Sequence, residues 1–443
     1  MGFDQAFYAA ATFASPPDLD DFRRRIDPSW VEAALTLTGT ATMRRRRLPA
    51  EHVIWVVLGM GLFRDRTIED VVSKLDLALP GGGGTIAKSS VSQARDRLGS
   101  EPVKWLFGRC AQTWARRSAD AHQWRGLSVY GIDGTTVRVP DSAENRQRFG
   151  GQSGRNESES GYPLLRVVAL MVLRSHLLAA CSVVGYEESG ERRASELLLS
   201  SIPTHSLTIL DRGLSAASFL IDVAAGEERH WLTRARSDRA CRVVQRLGRG
   251  DELVDVDVHR TTLKQRPDLP TSFRMRAIKY KRKGFAEQTL LTSLVDPVRF
   301  PAKEIIALYH ERWELELGYD EIKTELLDRE ETIRSRKPDG VLQEIWGILI
   351  AYNLVRLEME SIANEARVTP TQISFVESLR LMRDEWEWLS VTSPGAIPKR
   401  LATMRRNVKR YVLPPRRERS YPRVVKIKMS GYDRKRPLAE RTK

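Results

Sequence analysis

The spacing of apolar residues divides the chain into a helical first quarter and a mixed remainder. Residues 1 to about 120 are predicted to be helical, because Glu51–Arg64 is strongly apolar and Thr67–Leu79 has helical spacing. From about residue 126, short apolar runs typical of buried strands alternate with short helical segments, which predicts an α/β fold around a central sheet. Strands are predicted at 127–139, 164–173, 177–184 and 207–211, the first with a tight turn at Asp133-Gly134 and the next two as a hairpin.

Two later segments depart from this rhythm. Between 236 and 285, Val254, Val256 and Val258 alternate with polar residues and a very basic apolar run follows, which predicts a β-rich insertion. Pro301 then opens a long helix, a position that Pro favours. That helix carries an apolar stripe that can dock it on the sheet, formed by Leu308, Leu315 and Ile322. Further helices are predicted from residue 338 to about 390.

The segment 89–110 is a candidate for contacting DNA. Ser89 or Ser90 is predicted to cap a helix that Gly99 ends. With the helix that follows, it is compatible with a helix-turn-helix, in which exposed Gln and Arg side chains meet base edges. An ordinary helical domain with a charged face fits the pattern equally well. The candidate base-contacting residues are Gln93, Arg95 and Arg97.

Charge is concentrated at the C-terminus. The 443 residues carry a net charge of +15, and the last 45 residues hold 17 Lys and Arg against three acids, a net of +14. This predicts a polyanionic partner. The tail is either a solvated basic segment or a grip on phosphates, with Arg416 and Arg417 as candidate contacts.

Several classes of protein are disfavoured by the remaining composition. The three cysteines are widely spaced and form no CxxC pair, which argues against a zinc site and fits a reducing compartment. The longest apolar stretch, Val53–Phe63, has 11 residues, too few to span a bilayer. The N-terminus lacks the pattern of a signal peptide. We therefore expect an intracellular protein with no membrane partner.

Two predicted strands share a polar ending. The runs YGID at Asp133 and LTILD at Asp211 are apolar up to the aspartate, and a glycine follows closely in each. Ligands of open α/β sheets bind beyond the carboxyl ends of the strands, where such aspartates can project into a site. The competing interpretation is a turn residue that hydrogen-bonds its own backbone.

The helix after Pro301 offers a third carboxylate. Tyr309, Arg312, Glu316 and Lys323 fall within about 60° of one another around a regular helix. This face is either a surface ion-pair array or part of a site with the two aspartates. Three carboxylates suit Mg²⁺, which prefers oxygen ligands. Two such ions can clamp the attacking and leaving oxygens of a phosphoryl displacement, while neighbouring Arg and Lys bind phosphates.

At these residues the chain closely resembles the IS4 family of bacterial insertion-sequence transposases. The family pattern Tyr-x2-Arg-x3-Glu-x6-Lys matches Tyr309, Arg312, Glu316 and Lys323 at every position. Further similar stretches run through nearly the whole chain, including IDG at 132–134, SQARDRLGSE at 92–101, WGILIAYNLVR at 346–356 and RRERSYPRVVK at 416–426.

The resemblance implies a domain plan. Residues 1–120 would form a helical domain that binds transposon ends, and 121–335 an RNase H-like catalytic domain with the β-insertion at 236–285. Residues 336–392 would form C-terminal helices, a candidate dimerisation region, and 393–443 the basic tail.

It also implies a chemistry. Asp133, Asp211 and Glu316 would be the catalytic and metal-binding residues, with two Mg²⁺ ions that Mn²⁺ can replace. Tyr309, Arg312 and Lys323 would hold DNA phosphates. The reaction would be cut-and-paste transposition: a nick, a hairpin, its opening, and joining to target DNA. Double-stranded transposon ends and target DNA would be the partners, bound by a homodimer in the bacterial cytoplasm at the nucleoid.

The resemblance leaves three questions open. Some relatives place a Trp that stacks on a flipped base where this chain has Gln288, so either Tyr280 or Trp231 substitutes or flipping is weaker. A catalytically inactive or regulatory DNA-binding protein is the alternative function, although the intact triad argues against it. A nuclease without strand transfer would not need the N-terminal region.

Overall fold

The computed structural model describes residues 26–41, 48–74, 87–151, 161–236, 241–282, 285–327, 333–389 and 397–414. It has the expected α/β class, with a helical first part and a central sheet of nine strands. The proposed tail contacts Arg416 and Arg417 lie outside the described residues.

In the described residues, five helices precede the sheet. They are α1 (Pro28–Leu37), α2 (Ala50–Leu62), α3 (Ile68–Lys74), α4 (Lys88–Leu98) and α5 (Glu101–Ala121). The predicted cap of α4 is wrong, because the helix begins at Lys88 and places both serines inside its first turn, with Ala87 as the capping residue. Gly99 ends this helix as predicted, in the left-handed conformation with φ of 70° that glycine tolerates.

The sheet has the order β3-β2-β1-β4-β5-β9-β8-β7-β6. Its strands are β1 (Ser128–Arg138), β2 (Leu164–Val172), β3 (Leu178–Gly185), β4 (Ser206–Leu210), β5 (Arg229–Arg234), β6 (Arg242–Gly248), β7 (Asp251–Asp257), β8 (Ser272–Tyr280) and β9 (Gln288–Thr292). The pairs β1–β4 and β4–β5 are parallel and the others are antiparallel. The parallel centre is thus flanked by antiparallel strands on both sides.

Strand β1 corrects one prediction. Asp133 and Gly134 do not form a turn, because β1 is continuous through them and pairs antiparallel with β2 from Tyr130 to Arg138. The neighbouring strand places Ala169 and Val168 opposite these two residues. Pairing with a distant strand therefore outweighs the local turn preference of Asp-Gly.

The β-insertion extends the same sheet. Strands β6, β7 and β8 form an antiparallel ladder that continues from β9, with a short helix, α9 (Arg260–Gln265), between β7 and β8. The short helices α6 (Ala143–Phe149), α7 (Glu191–Glu196) and α8 (Ala217–Ala224) connect the other strands.

The long helix predicted after Pro301 is segmented. It comprises α10 (Ala302–Tyr309), a 3₁₀ turn at His310–Arg312, α11 (Trp313–Asp320) and a π-helical segment at Glu321–Leu326. The predicted apolar stripe is confirmed, because Leu308, Leu315 and Ile322 are all at most 5% exposed. A Cβ added to Gly131 would lie 2.7 Å from Leu315 Cδ1, so α11 packs directly on β1.

Helix α12 (Pro338–Ala366) packs against the N-terminal helices and the sheet region, and α13 (Phe375–Leu389) and α14 (Ile397–Lys409) follow it. A Cβ added to Gly61 of α2 would lie 2.7 Å from the carbonyl oxygen of Gly347 in α12, so the two main chains touch. Arg64 donates to Glu344 of α12 at 3.1 Å, and both side chains are buried. In the described part of the chain, no helix has the length and apolar character needed to span a bilayer.

Candidate active site

Asp133 and Asp211 are neighbours because of the register of two parallel strands. Ile132 of β1 pairs with Leu210 of β4, so the next residue of each strand is an aspartate. Side chains at matching positions of parallel strands point to the same face. Asp211 is the first residue after β4, and its side chain is 49% exposed and accepts a hydrogen bond from Gly213 N at 3.4 Å. The two carboxylates thus share one face of the sheet.

Asp133 lies in the more buried environment of the two. Burial raises the pKa of its carboxyl group to about 6, against the hydrogen bond from Gly134 N–H, whose length is 2.8 Å. The carboxylates of Glu191 and Asp211 raise this pKa further, and Arg312 lowers it. A cation bound at this site would therefore reduce the electrostatic repulsion between Asp133 and the neighbouring carboxylates.

Glu316 is drawn towards the aspartates by Arg312. The guanidinium donates to Glu316 Oε1 at 2.9 Å, and its other terminal nitrogen lies 3.9 Å from Asp211 Oδ1. Arg312 is in the 3₁₀ turn and Glu316 is one helical turn later, in α11. The arginine therefore places positive charge between the second and third carboxylates.

The carboxylates form an open arrangement. Among the residues that the structure describes, no three His, Cys, Asp or Glu side chains are close enough to hold one metal ion. The donor set nevertheless suits a hard divalent cation, since all its members are carboxylates and Asp133 and Asp211 share a strand register. Glu316 accepts a hydrogen bond from Arg312 in this arrangement.

The other two residues of the helix pattern also face this region. Lys323, in the π-helical segment, donates to Thr135 Oγ1 at 3.4 Å, two residues beyond Asp133 on β1. Tyr309 is 8% exposed, and burial raises the pKa of its hydroxyl, with smaller influences from Arg312 and Asp211. The structure therefore gathers the four-residue pattern around the two aspartates.

Two residues near the site were missed from the sequence. Glu191, at the start of α7, approaches within 3.2 Å of the Cβ position of Gly134, and its charge acts on both aspartates. Tyr319 of α11 donates to the carbonyl oxygen of Asp133 at 2.5 Å. No local pattern distinguishes either residue, because their partners lie far away in the chain.

The candidate base-contacting residues are split by the structure. Gln93 and Arg97 are exposed on α4. Arg95 is 9% exposed and donates to Gln343 at 2.7 Å and to Ser335 at 3.0 Å. Its guanidinium thus joins α4 to α12 and does not face solvent. We correct the interpretation of Arg95 accordingly, because an internal network already uses its donors.

The position of Gln288 is occupied by a polar pair. Tyr280 donates to Gln288 Oε1 at 3.0 Å across β8 and β9. Trp231 is 1% exposed in β5, so its ring has no face open to a base. Of the two aromatic alternatives, only Tyr280 is partly accessible.

Paired aspartates next to each other on parallel strands, with a glutamate on a later helix, are the arrangement expected of a DDE-type nucleotidyl transfer enzyme with an RNase H-like core. The chain matches two family models, "Insertion element 4 transposase N-terminal" over residues 16–108 and "Transposase DDE domain" over residues 124–354. This chain belongs to the IS4 family of DDE transposases.

Individual relatives agree with this membership. The chain is 39% identical over 406 residues to "Transposase InsG for insertion sequence element IS4" of Escherichia coli (strain K12), with 90% of each chain covered. It is 35% identical over 233 residues to "Putative transposase InsZ" of the same strain, covering 52% of this chain and 76% of that one. The protein is therefore a transposase enzyme that acts on DNA and uses divalent metal.

Proposed function

We propose that this transposase moves an insertion sequence by a cut-and-paste reaction in which Asp133, Asp211 and Glu316 are the catalytic carboxylates. One observation carries the proposal: the pairing of Ile132 with Leu210 makes the two aspartates neighbours. Arg312 supports including Glu316, because its guanidinium contacts Glu316 at 2.9 Å and lies 3.9 Å from Asp211. The steps would be a nick at the transposon end, a hairpin formed by the freed 3′-hydroxyl, hairpin opening, and joining to target DNA.

The proposed cofactor is a pair of Mg²⁺ ions held by these three carboxylates, with Mn²⁺ able to replace them. Bound there, the ions would supply Lewis-acid stabilisation of charge on the attacking and leaving oxygens. The protein's own contribution is to fix the carboxylates on rigid elements, two on the sheet and one on a helix that packs against it.

Cations beside the carboxylates are proposed to hold DNA. Lys323 sits over β1 beyond Asp133, and Arg312, once its carboxylates bind metal, has its donors available for a phosphate. Tyr309 would complete this phosphate-binding face. Gln93 and Arg97 would contact the transposon end, and the basic tail, with Arg416 and Arg417, would add phosphate contacts. The active assembly would be a homodimer that pairs two ends in the bacterial cytoplasm.

The test uses the purified full-length protein, Mg²⁺ and end-labelled duplexes that carry the inverted repeats flanking its gene. We expect nicked and then hairpin products. Asp133→Asn and Asp211→Asn should abolish both products while end binding in a gel-shift assay persists. Partly exposed Glu196, on the same short helix as Glu191, provides a control, because Glu196→Gln removes a carboxylate outside the proposed triad.

Each alternative has its own outcome in this assay. End binding without any cleavage by the wild-type protein would favour the inactive or regulatory DNA-binding protein. Nicks without hairpins or joined products would favour a plain nuclease. Mg²⁺-dependent nicking by the aspartate variants would refute the assignment of the catalytic residues.

A further inference from the structure

Tyr319 occupies an unusual place between two strands. Its hydroxyl donates to the carbonyl oxygen of Asp133 at 2.5 Å and accepts from the N–H of Ala169 at 3.1 Å. Asp133 and Ala169 are directly opposite each other in the β1–β2 ladder. A phenol supplied by helix α11 therefore bridges the main chains of two paired strands at the residue proposed to bind metal.

The helix that supplies this phenol cannot easily shift. A Cβ added to Gly318 would lie 2.5 Å from Cε of Met171 on β2, and one added to Gly131 would lie 2.7 Å from Leu315 on α11. Glycine at both positions lets the helix and the sheet approach closely. Tyr319 is 6% exposed, so the packing around its ring fixes the position of its hydroxyl relative to the sheet.

Tyr319 also lies one helical turn after Glu316 on the same element. The Asp133 main chain is thus hydrogen-bonded to the helix that carries the third carboxylate. Loss of the hydroxyl would leave a backbone donor and a backbone acceptor without this partner, and such buried groups pair where they can. Because Ala169 and Asp133 face each other, they could pair directly, drawing β1 towards β2 and away from α11.

We propose that Tyr319 is a positioning residue of the transposase reaction, whose hydroxyl sets the separation between Asp133 and Glu316 through the main chain of β1. This rests on the proposed roles of those two carboxylates. In this role the residue acts through the main chain of β1 and not as a metal ligand. It acts on the site's affinity for metal and hence on the metal concentration that the reaction requires.

The test is Tyr319→Phe in the full-length protein, which removes one oxygen atom. Mn²⁺ binding to the DNA-free protein, followed by electron paramagnetic resonance, should weaken about tenfold, the lower range for partners that orient metal ligands. The Mg²⁺ concentration that gives half-maximal cleavage should rise by the same factor, with cleavage at saturating Mg²⁺ and end binding close to wild type. A merely structural role would not produce this split.

Tyr130→Phe is the matched control. Tyr130 lies on β1, the strand that carries Asp133, and is 1% exposed. It sits among residues of α5, on the face of the sheet opposite to Asp133. It should leave both metal measurements unchanged. Gly131→Ala is a second variant, which keeps the hydroxyl but drives Leu315 off β1, and it should weaken Mn²⁺ binding in the same direction.

Wild-type Mn²⁺ affinity in Tyr319→Phe overturns the proposal, and Gly131→Ala decides in the same way should Tyr319→Phe not fold. Failure of the proposed active site gives a different result. Asp133→Asn would then keep Mn²⁺ binding and cleavage, whatever Tyr319→Phe does.

Discussion

The segmented helix from Ala302 to Leu326 takes part in two clusters of arginine and carboxylate. The two clusters contain the same residue types but differ in solvent exposure and in the number of partners. Arg312 bridges Glu316 at 2.9 Å and Asp211 at 3.9 Å, and these side chains are between 20% and 49% exposed. A few residues later, Glu321 accepts from Arg356 Nε at 3.0 Å and from the Tyr352 hydroxyl at 2.9 Å. Arg356 is only 1% exposed.

The buried cluster is closed by further partners. His176, which is fully buried, lies 2.7 Å from Glu314 through Nε2 and also contacts Arg356. Burial opposes the charge on Glu321, but Arg356 and His176 outweigh it and lower the pKa of this carboxyl group to about 2. Each charge here has fixed partners and little access to water.

The comparison shows that the same residue types can serve different roles, depending on how deeply they are buried and how many partners they have. A half-exposed ion pair contributes little to stability, so its members can exchange partners cheaply for metal or phosphate. A desolvated cluster with satisfied hydrogen bonds is costly to break, so it fixes the helix. We infer that the buried cluster anchors the segment on which the open cluster works.

The largest contrast should appear in activity. Glu316→Gln removes a proposed metal ligand, and several kcal/mol of charge stabilisation is lost with it. We expect cleavage to fall by about 10³-fold or more. Thermal stability should stay near wild type, because the Arg312–Glu316 ion pair is partly exposed, at 20% and 33%. Single-turnover cleavage with calorimetry measures both, and a strongly destabilised Glu316→Gln would contradict the division of roles.

Breaking the buried cluster should instead cost stability. Arg356→Met leaves Glu321 buried without its main cation, and we expect a loss of about 3–5 kcal/mol in the free energy of unfolding. Arg312→Met is the matched change in the open cluster and should cost no more than about 1 kcal/mol. Urea unfolding measures both free energies of unfolding. Equal losses in the two variants would contradict the assignment of a stabilising role to the buried cluster alone. Adding Glu321→Gln to Arg356→Met should restore part of the loss.

The pH dependence of stability should identify Glu321. Its folded-state pKa of about 2 is below the unfolded value of 4.5, so its contribution is present above pH 4.5 and is lost as pH falls towards 2. At about 1.4 kcal/mol per pKa unit, the advantage of the wild type over Glu321→Gln should be about 3 kcal/mol at pH 7. The gap should close in acid. A gap independent of pH would show that charge on Glu321 is not its source.

The smallest effect concerns DNA binding. If Arg312 holds one phosphate once metal is bound, Arg312→Gln should weaken binding to cognate and random DNA about equally and reduce the salt slope by about 1. Gel shifts with Mg²⁺ and a duplex whose scissile phosphate is replaced by a non-cleavable analogue, from about 50 to 200 mM salt, measure the slope while Asp211 is kept. An unchanged salt slope would show that Arg312 binds no DNA phosphate and interacts only with the protein's carboxylates.

The sequence predicted the class of fold and the apolar runs that lead into Asp133 and Asp211, because apolar runs are local signals. It did not predict the continuous path of β1 through Asp133-Gly134, which β2 imposes by pairing. It also could not show that Arg95 is internal, since Gln343 lies 248 residues away. The contacts of Tyr319 could not be predicted for the same reason, because its partners lie on two strands that are distant in sequence.

The touching main chains of Gly61 and Gly347 have a mechanical consequence. Two helices that meet without side chains between them leave no room to slide or roll, and any larger residue at either position would wedge them apart. The N-terminal helices therefore travel with α12 as one block, and α12 carries Arg356, which grips the segment after Glu316. If the N-terminal helices bind a transposon end, as proposed, such a block would present that end to the proposed catalytic carboxylates at a set distance.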